Sequence, residues 1–167
     1  MMNHLNHLNH LSWDDYFMNT ALLSAMRSKD PSTKVGAVVV NEDKRIIGIG
    51  YNGFPNGCSD EDFPWAREGD FLETKYAYVV HAEENAILNS TTGVKGASIF
   101  VSLFPCHECA KKIIQSGIRE VVYLSDKYEG TPGNQASKRM LKASGVMTRK
   151  LVMNQIVSVT EVPASVE

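Results

Sequence analysis

The sequence has few cysteines, little excess charge and no long apolar run, and each shortage argues against a class of protein. Its three cysteines cannot all pair, and no charged-then-apolar leader of the secretory type precedes the core, so we expect the reducing cytosol. A formal net charge of -2 offers no broad cationic surface to a polynucleotide. No apolar run reaches the roughly 18 residues that a membrane span needs. We therefore expect neither nucleic acid nor membrane as a partner.

The apolar content of the chain is sufficient for one core. With 167 residues, 43% of them hydrophobic, and no strong change of composition, we expect a single domain over residues 12–153. Residues 1–11 contain Asn-His-Leu three times and are predicted to be a low-complexity lead-in, although their histidines could instead gather a metal ion on one helical face. Residues 154–167 are predicted to form a tail.

Hydrophobic periodicity predicts alternating helices and strands. Apolar residues recur at helical spacing from Trp13 to Arg27, and Ser12 is a suitable N-cap for that helix. The other predicted elements are strands at 35–40, 45–52, 98–103, 120–125 and 148–153 and helices at about 82–90, 106–116 and 134–144. This alternation predicts an α/β fold, with a central sheet of about five strands and helices on both faces.

Residues 53–80 interrupt the alternation with 28 residues that are rich in turn formers. A loop of this length inside a compact domain is usually functional or disordered. We call this segment the insertion, and we predict that it has a role of its own.

Two short motifs carry the chemistry of the chain. His81 and Glu83 stand at the predicted start of one helix, and Cys106 and Cys109 stand at the start of the next, directly after a strand. Two cysteines at this spacing can direct both sulfurs at one ion, and a histidine from another helix start supplies a third ligand. Three protein ligands with an open fourth position are typical of catalytic zinc, whereas structural zinc is usually closed by four.

Glu83 is predicted to be the catalytic proton carrier. It lies two residues beyond the histidine ligand, so its carboxylate can stand beside the ion without joining the coordination sphere. Zinc in an open site lowers the pKa of its water from 15.7 to roughly 7, and a carboxylate beside that water can move protons during a hydrolysis.

Other interpretations of these motifs stay open. A closed structural zinc knuckle or a chance pair of cysteines would give Glu83 no role. His107 lies between the two cysteines and is expected to diverge from the ion, so we predict that it is not a ligand. Cys58 has no partner motif and is also predicted not to bind the catalytic ion, although it could touch a second metal.

The motifs H-x-E and P-C-x-x-C, in this order, resemble the signature of the zinc deaminases that act on nucleobases. Over about residues 12–150 the sequence further resembles the deoxycytidylate deaminases. The segments that carry this resemblance are RSKDPSTKVGAVVV, GIGYNGFPNGCSDEDFPW, TKYAYVVHAEENAI and SLFPCHECAKKIIQSGIREVVYLSDKY. It implies a three-layer α/β/α cytidine-deaminase-like fold with a mixed sheet. It also implies the zinc-dependent hydrolysis of deoxycytidine monophosphate (dCMP) to dUMP and ammonia, which feeds dTTP synthesis.

The resemblance implies a set of substrate contacts. Asn52 resembles the asparagine with which these deaminases hold the nucleoside, and Ala82 is predicted to be a further substrate contact. A monophosphate also needs an anion site, for which Arg27 and Lys29 are predicted because a guanidinium offers a planar fork to phosphate. Tyr128 is predicted to add a hydroxyl contact. The plainer interpretation is a turn residue for Asn52 and surface side chains for the others.

Regulation and assembly are further implications of the resemblance. Deoxycytidylate deaminases are typically hexamers that dCTP activates and dTTP inhibits, and the insertion with the preceding GYNG segment is predicted to bind the effector. The predicted contacts are Tyr51, Gly53, Asp60, Glu61 and Lys75. The two acidic residues are predicted to hold Mg²⁺ on the triphosphate, and the lysine to contact it. A bland surface loop is the alternative.

Three other functions are weaker alternatives. A transfer RNA deaminase shares the zinc signature, but the ending VTEVPASVE has neither the basic surface nor the helix expected for a polynucleotide. A riboflavin-pathway or free-cytosine deaminase shares the signature without accounting for the combination of Arg27 with the GYNG and SDKY segments. A non-catalytic zinc module for protein interaction would have no use for Glu83.

Overall fold

A computed structural model describes residues 10–162, so most of the Asn-His-Leu lead-in and residues 163–167 lie outside the described part of the chain. The elements are α1 (Trp13–Ala25), β1 (Gly36–Val40), β2 (Ile46–Tyr51), α2 (Ala82–Leu88), β3 (Ser98–Leu103), α3 (His107–Ser116), β4 (Glu120–Ser125), α4 (Pro132–Ala143) and β5 (Met147–Lys150). Their order confirms the predicted alternation. Within residues 10–162, no helix has the length and apolar character that crossing a bilayer requires.

The five strands form one mixed sheet in the order β2-β1-β3-β4-β5. Strand β1 is antiparallel to both of its neighbours, whereas β3, β4 and β5 are parallel to one another. Strands β2, β3 and β4 therefore run in the same direction. Their carboxyl ends meet at one edge of the sheet, together with the amino end of β1, and we call this edge the carboxyl edge.

Helices cover both faces of the sheet. Successive residues of a strand point to opposite faces, and β1 is buried on both. Val38 and Val40 pack with the buried residues of α1, while Ala37 and Val39 pack with those of α2, α3 and α4 on the other face. The predicted three-layer α/β/α architecture is confirmed.

Helix α2 lies directly on β2 because the strand contains two glycines. A Cβ atom at Gly48 would lie 2.3 Å from the carbonyl oxygen of Ala86, and one at Gly50 would lie 2.4 Å from that of Ala82. Only glycine at these positions permits backbone contact between strand and helix. The contact holds the first turn of α2, with the histidine and glutamate that flank Ala82, at the carboxyl edge.

Helix α1 begins as predicted and buries Phe17 and Ala21, but it does not bury the two aromatic residues Trp13 and Tyr16 of its first turn. Ser12 is its N-cap and accepts a hydrogen bond from the N–H of Asp15 at 3.1 Å. The apolar residues at helical spacing include Trp13 and Tyr16, yet both are about half exposed. The backbone of α1 lies directly on β1 at Gly36, where a Cβ atom would be 1.8 Å from the carbonyl oxygen of Ala21. The buried apolar residues of α1 are Phe17, Met18, Ala21 and Ala25.

Part of the predicted tail is attached to α1. The carboxylate of Asp15, which is 1% exposed, accepts hydrogen bonds from the N–H groups of Asn154 and Gln155, each at 3.2 Å. Asn19 donates to the carbonyl of Gln155 at 3.0 Å and accepts from the N–H of Val157 at 2.7 Å. The contacts of the domain thus continue to residue 157, beyond the predicted boundary at 153.

The insertion is packed, although it contains only two short 3₁₀ turns, Phe71–Glu73 and Lys75–Ala77. Aromatic rings form its interior, with centroids 4.2 to 5.6 Å apart: Phe54, Phe63, Trp65 and Tyr78. Gly53 and Val80 exchange two backbone hydrogen bonds, at 3.1 and 2.8 Å, and so close the insertion at its base. This closure brings both ends of the insertion to the carboxyl edge.

Candidate metal centre and active-site cavity

His81, Cys106 and Cys109 converge at the carboxyl edge. Nδ1 of His81 lies 3.3 Å from Sγ of Cys106 and 3.4 Å from Sγ of Cys109. All three ligand atoms lie within 4.8 Å of one another. One imidazole nitrogen and two sulfurs form a donor set that suits zinc, and three protein ligands leave a fourth position open. The residues therefore fit the catalytic type of zinc site that the motifs predict.

Two of the three cluster residues are helix N-caps whose side chains make no capping hydrogen bond. His81 and Cys106 are the N-caps of α2 and α3, both in extended backbone conformation, and neither side chain caps its own helix. At α1 and α4, by contrast, the caps Ser12 and Thr131 accept a hydrogen bond from a backbone N–H. The side chains of His81 and Cys106 point at each other instead.

The pKa values of the two thiols are shifted in opposite directions. A hydrogen bond from the Cys109 thiol, assisted by His81, holds the pKa of Cys106 at about 3 in spite of its burial. The same hydrogen bond and its own burial raise the pKa of Cys109. A divalent cation would displace the proton of Cys109, because its charge favours two thiolates. Zinc binding at this site is therefore expected to release protons.

Glu83 stands beside the cluster as a buried carboxyl group. It is 4% exposed, and none of the lysines and arginines in the described chain forms an ion pair with it. Burial raises the pKa of Glu83 above its ordinary range. The neighbouring Glu84 differs, since it is ion-paired with Lys112. A carboxyl group with a raised pKa and no ion-pair partner holds a proton more readily than an ordinary carboxyl group, which suits proton transfer.

A cavity of about 610 Å³ opens over this centre. Three of the five predicted substrate residues, Asn52, Ala82 and Tyr128, line it, as do all the residues of the metal centre. Sequence inspection missed several other residues of its wall: Asp30, Thr33, Arg67, Tyr76, Lys112 and Asn134. The volume and the mixed polar and apolar lining suit a small organic molecule.

Asn52 is buried in the cavity wall and held by three hydrogen bonds. Its amide nitrogen donates to the carbonyl of Thr33 at 3.0 Å and to Oδ2 of Asp30 at 3.2 Å. Its Oδ1 accepts from the N–H of Val35 at 2.8 Å. Both N–H groups are therefore used, and one lone pair of Oδ1 is left for a ligand. The contact with a nucleoside stays a prediction.

Arg27 and Lys29, the predicted phosphate contacts, are exposed and are not among the residues that line the cavity. Lys29 forms an ion pair of 2.7 Å with Asp60, a residue predicted to bind the effector. The two predicted sites thus meet on the outer surface, between the α1–β1 loop and the insertion.

Two other cationic side chains, Arg67 and Lys127, lie at the cavity wall or against residues that form it. Arg67 of the insertion lines the cavity, and its Nε lies 3.4 Å from the hydroxyl oxygen of Tyr76. Lys127 donates to Oγ1 of Thr33 at 3.1 Å and lies 5.0 Å from the ring centre of Tyr128. Although partial burial opposes it, hydrogen bonds with Thr33 and Lys127 and the charge of Arg67 lower the pKa of Tyr128. The local potential therefore favours an anion here.

The predicted effector residues occupy different environments. The carbonyl of Tyr51 accepts from Asn85, Gly53 closes the base of the insertion, and Glu61 is exposed. Lys75 is buried in the cavity wall, where its Nζ lies 2.5 Å from Oδ2 of Asp30. Lys75 therefore faces the cavity and not the outer surface on which Asp60 and Glu61 lie.

Neither of the rival ligands joins the metal cluster. Cys58 is partly exposed in the insertion, and His107 lies beside the cavity with its Nε2 3.3 Å from Glu108. Within residues 10–162, the only group of three or more residues that could hold a metal ion is the one formed by His81, Cys106 and Cys109.

Comparisons with known proteins agree with this geometry. A family model for the cytidine and deoxycytidylate deaminase zinc-binding region matches residues 11–125. The deoxycytidylate deaminase of Homo sapiens is 54% identical over 144 residues, which cover 85% of this chain and 81% of the human one. That of Mus musculus is 56% identical over 142 residues, which cover 84% of this chain and 80% of the mouse one.

A solved structure gives the same result for the fold. The dCMP deaminase of cyanophage S-TIM5, in complex with dCMP and dUMP, is 28% identical to this chain with a TM-score of 0.69. The match covers 85% of this chain and 100% of the cyanophage chain.

Proposed function

The chain belongs to the cytidine and deoxycytidylate deaminase family, and from that premise we propose that it is a deoxycytidylate deaminase, which hydrolyses dCMP to dUMP and ammonia. The observation that carries the proposal is the buried carboxyl group of Glu83 beside the cluster of one histidine and two cysteines. The names of the human and mouse relatives support the choice of substrate. The product dUMP is the precursor from which dTTP is made.

Glu83 performs the proton transfers of the reaction. A zinc ion held by His81, Cys106 and Cys109 supplies Lewis acidity, which lowers the pKa of water at its open position. Glu83 takes a proton from the attacking water and delivers it to N3 of the cytosine ring as the C4–O bond forms. It then carries the remaining hydroxyl proton to the amino group. Ammonia leaves as the C4–N bond breaks, and the C4 carbonyl of uracil remains.

Arg67 and Lys127 provide the positive charge that binding of a monophosphate substrate requires. Arg67 can approach a phosphate with a planar fork of N–H donors, and the Tyr128 hydroxyl can add a further donor. Lys127 strengthens the local positive potential beside them. We therefore assign the phosphate to Arg67 and Tyr128, while the roles of Arg27 and Lys29 stay predictions from the sequence.

The decisive experiment compares three substrates. The purified zinc enzyme is given dCMP, cytidine monophosphate and deoxycytidine separately, and the loss of cytosine absorbance is followed. We expect the highest kcat/KM with dCMP, and a loss of preference for dCMP over deoxycytidine in the variant Arg67→Ala. Failure to deaminate dCMP would contradict the activity. If Arg67→Ala kept the wild-type preference for dCMP over deoxycytidine, only the assignment of the phosphate to Arg67 would be contradicted.

We further propose that dCTP with Mg²⁺ activates the enzyme and that dTTP inhibits it through the insertion. Asp60 and Glu61 are carboxylates on the outer part of this segment, while Tyr51 and Gly53 lie where it leaves β2. The test is calorimetric titration of dCTP and Mg²⁺ into the wild type and into the double variant Asp60→Asn/Glu61→Gln. Equal affinities would exclude the two carboxylates from the effector site.

A hexameric assembly is part of the same proposal. Large apolar side chains are exposed on α1 and on the insertion, which suits a surface that packs against other copies: Trp13, Tyr16, Leu23, Phe71 and Leu72. Sedimentation velocity with and without dCTP measures the assembly directly, and a monomer under both conditions would contradict it. The cytoplasmic location stays a prediction, supported by three cysteines that are free thiols.

A further inference from the structure

A buried ion pair joins the insertion to the loop between α1 and β1. Nζ of Lys75 lies 2.5 Å from Oδ2 of Asp30, and the two side chains are only 8% and 2% exposed. Both residues line the cavity, next to Asn52. Taking two charges out of water is costly, so a pair of this kind calls for an explanation in terms of what it holds in place.

Asp30 holds both its own loop and Asn52. Its Oδ1 accepts from the N–H groups of Ser32 and Thr33, at 2.8 and 3.1 Å. Its Oδ2 accepts from Lys75 and also from the amide nitrogen of Asn52, at 3.2 Å. The ion pair and the nucleoside contact predicted for Asn52 therefore share one carboxylate oxygen.

The charge of Asp30 determines which end of the Asn52 carboxamide can face it. An ionised carboxylate only accepts hydrogen bonds, so it must face the NH₂ end, whereas a protonated carboxyl group can also donate and tolerates either end. In a buried position the ionised form needs a nearby cation. Burial tends to raise the pKa of Asp30, but the hydrogen bonds from Lys75 and the loop lower it overall. Lys75 therefore keeps Asp30 in the acceptor-only state.

We propose that Lys75 is a positioning residue for substrate binding. Through Asp30 it fixes the carboxamide of Asn52 so that the free lone pair of Oδ1 accepts a hydrogen bond from a hydroxyl group of the nucleoside sugar. The inference rests on the proposed function, because dCMP is the molecule that supplies this hydroxyl. It also gives the insertion a direct part in building the active site.

The test replaces Lys75 with methionine, which keeps the length of the side chain and removes the charge. In Lys75→Met we expect KM for dCMP to rise about tenfold, which is the worth of one hydrogen bond, while kcat stays within about threefold of wild type. Lys75→Arg keeps the charge and is expected to restore KM to within about threefold of wild type. The zinc content is expected to be unchanged in both variants.

A second measurement does not depend on turnover. The side-chain amide signals of Asn52 in a ¹⁵N–¹H spectrum, assigned with Asn52→Asp, report the hydrogen bonds of its two N–H groups. We expect these signals to shift in Lys75→Met and to stay in place in Lys75→Arg. The matched control is Arg149→Met in β5, which breaks partly buried ion pairs with Asp14 and Glu120 at a residue that does not line the cavity. It is expected to lower Tm without moving KM or the Asn52 signals.

The outcomes separate the two proposals. Unchanged Asn52 signals and unchanged KM in Lys75→Met would overturn the positioning role, even if Tm fell. Shifted Asn52 signals in an enzyme that does not deaminate dCMP would overturn the proposed function and leave the link from Lys75 to Asn52 intact. If Lys75→Met does not fold, Asp30→Asn/Lys75→Gln removes both charges with polar groups of similar size. Asn52 signals like those of wild type in that variant would also contradict the inference.

Discussion

The four α-helices within residues 10–162 begin in two different ways, and the difference separates folding from function. At α1 and α4, Ser12 and Thr131 accept hydrogen bonds from the first turn, which is typically worth about 1 kcal/mol of stability per cap. At α2 and α3, His81 and Cys106 occupy the same cap position without capping, and their side chains meet instead. The two functional helix starts thus omit a stabilising contact in order to build a metal site.

The uncapped helices are held by other means. Helix α2 touches the sheet through Gly48 and Gly50, and α3 buries Ala110 and Ile113 in the core. A backbone contact fixes the position of a helix start more tightly than its own cap can, because it does not depend on a flexible side chain. The comparison teaches that packing, and not capping, determines the geometry of this active site.

The largest effect is expected when a metal ligand at a helix start is replaced by a residue that caps the helix. Cys106→Ser removes one zinc ligand but introduces a residue that is well suited to the N-cap. We expect activity to fall below detection and the zinc content to fall well below one ion per chain, by elemental analysis. After zinc removal by a chelator, the variant is expected to be at least as stable as the wild type. A zinc-replete, active Cys106→Ser enzyme would refute the assignment of the ligand.

The next largest effect concerns the proton carrier. Glu83→Gln keeps the size and burial of the side chain but cannot move protons, so kcat is expected to fall by at least about 10² to 10⁴, the usual worth of general acid–base catalysis. Zinc content is expected to stay at the wild-type level. The neighbouring Glu84→Gln, which breaks the ion pair with Lys112 in the cavity wall and leaves Glu83 in place, is a matched control for the loss of a carboxylate. Near-native turnover in Glu83→Gln would remove Glu83 from the reaction.

A smaller effect tests the packing that replaces the caps. A Cβ atom at Gly50 would lie 2.3 Å from the amide nitrogen of Ala86, so Gly50→Ala must push α2 away from the sheet. Overpacking of this kind costs about 1 to 3 kcal/mol, and we expect lower zinc affinity as well as a lower Tm. Gly93→Ala is the control, since nothing lies within 4 Å of its Cβ position. A fully stable, tightly zinc-binding Gly50→Ala would contradict the role of this contact.

The smallest effect is expected at a helix start that serves folding alone. Ser12→Ala removes the hydrogen bond to the N–H of Asp15 and is expected to lower the free energy of unfolding by about 1 kcal/mol. Denaturant unfolding measures this change. The metal centre does not involve Ser12, so zinc content and kcat/KM are expected to match the wild type. A loss of zinc in this variant would show that the two kinds of helix start are coupled.

The motifs were readable from the sequence because their spacing is local. His81 and Glu83 are two residues apart and Cys106 and Cys109 three, and each pair lies at the start of one helix, so the local backbone keeps the members of each pair close. The order of helices and strands was predictable for the same reason. The buried face of α1 was only partly predictable, because Trp13, Tyr16 and Phe17 all fit the helical period but only Phe17 is buried, against Phe100 of the sheet.

The wall of the cavity depends on residues that are far apart in the chain. Asp30 and Lys75 belong to segments without periodicity, and 45 residues separate them. In the sequence, each is an ordinary charged residue of a loop. Their burial follows only from the closure of the insertion at Gly53 and Val80, which brings both loops to the same edge of the sheet. Arg67 reaches the cavity wall for the same reason, because it belongs to the insertion.

By itself, the sequence determined which side chains do the chemistry and in which order the elements follow, since both depend on contacts within a few residues. The mixed strand order decided where these elements meet, by placing the carboxyl ends of β2, β3 and β4 at one edge. Only that arrangement combines the metal centre, Asn52 and the insertion in one cavity. Contacts between distant segments depend on strand direction and close packing, which no local pattern of residues specifies.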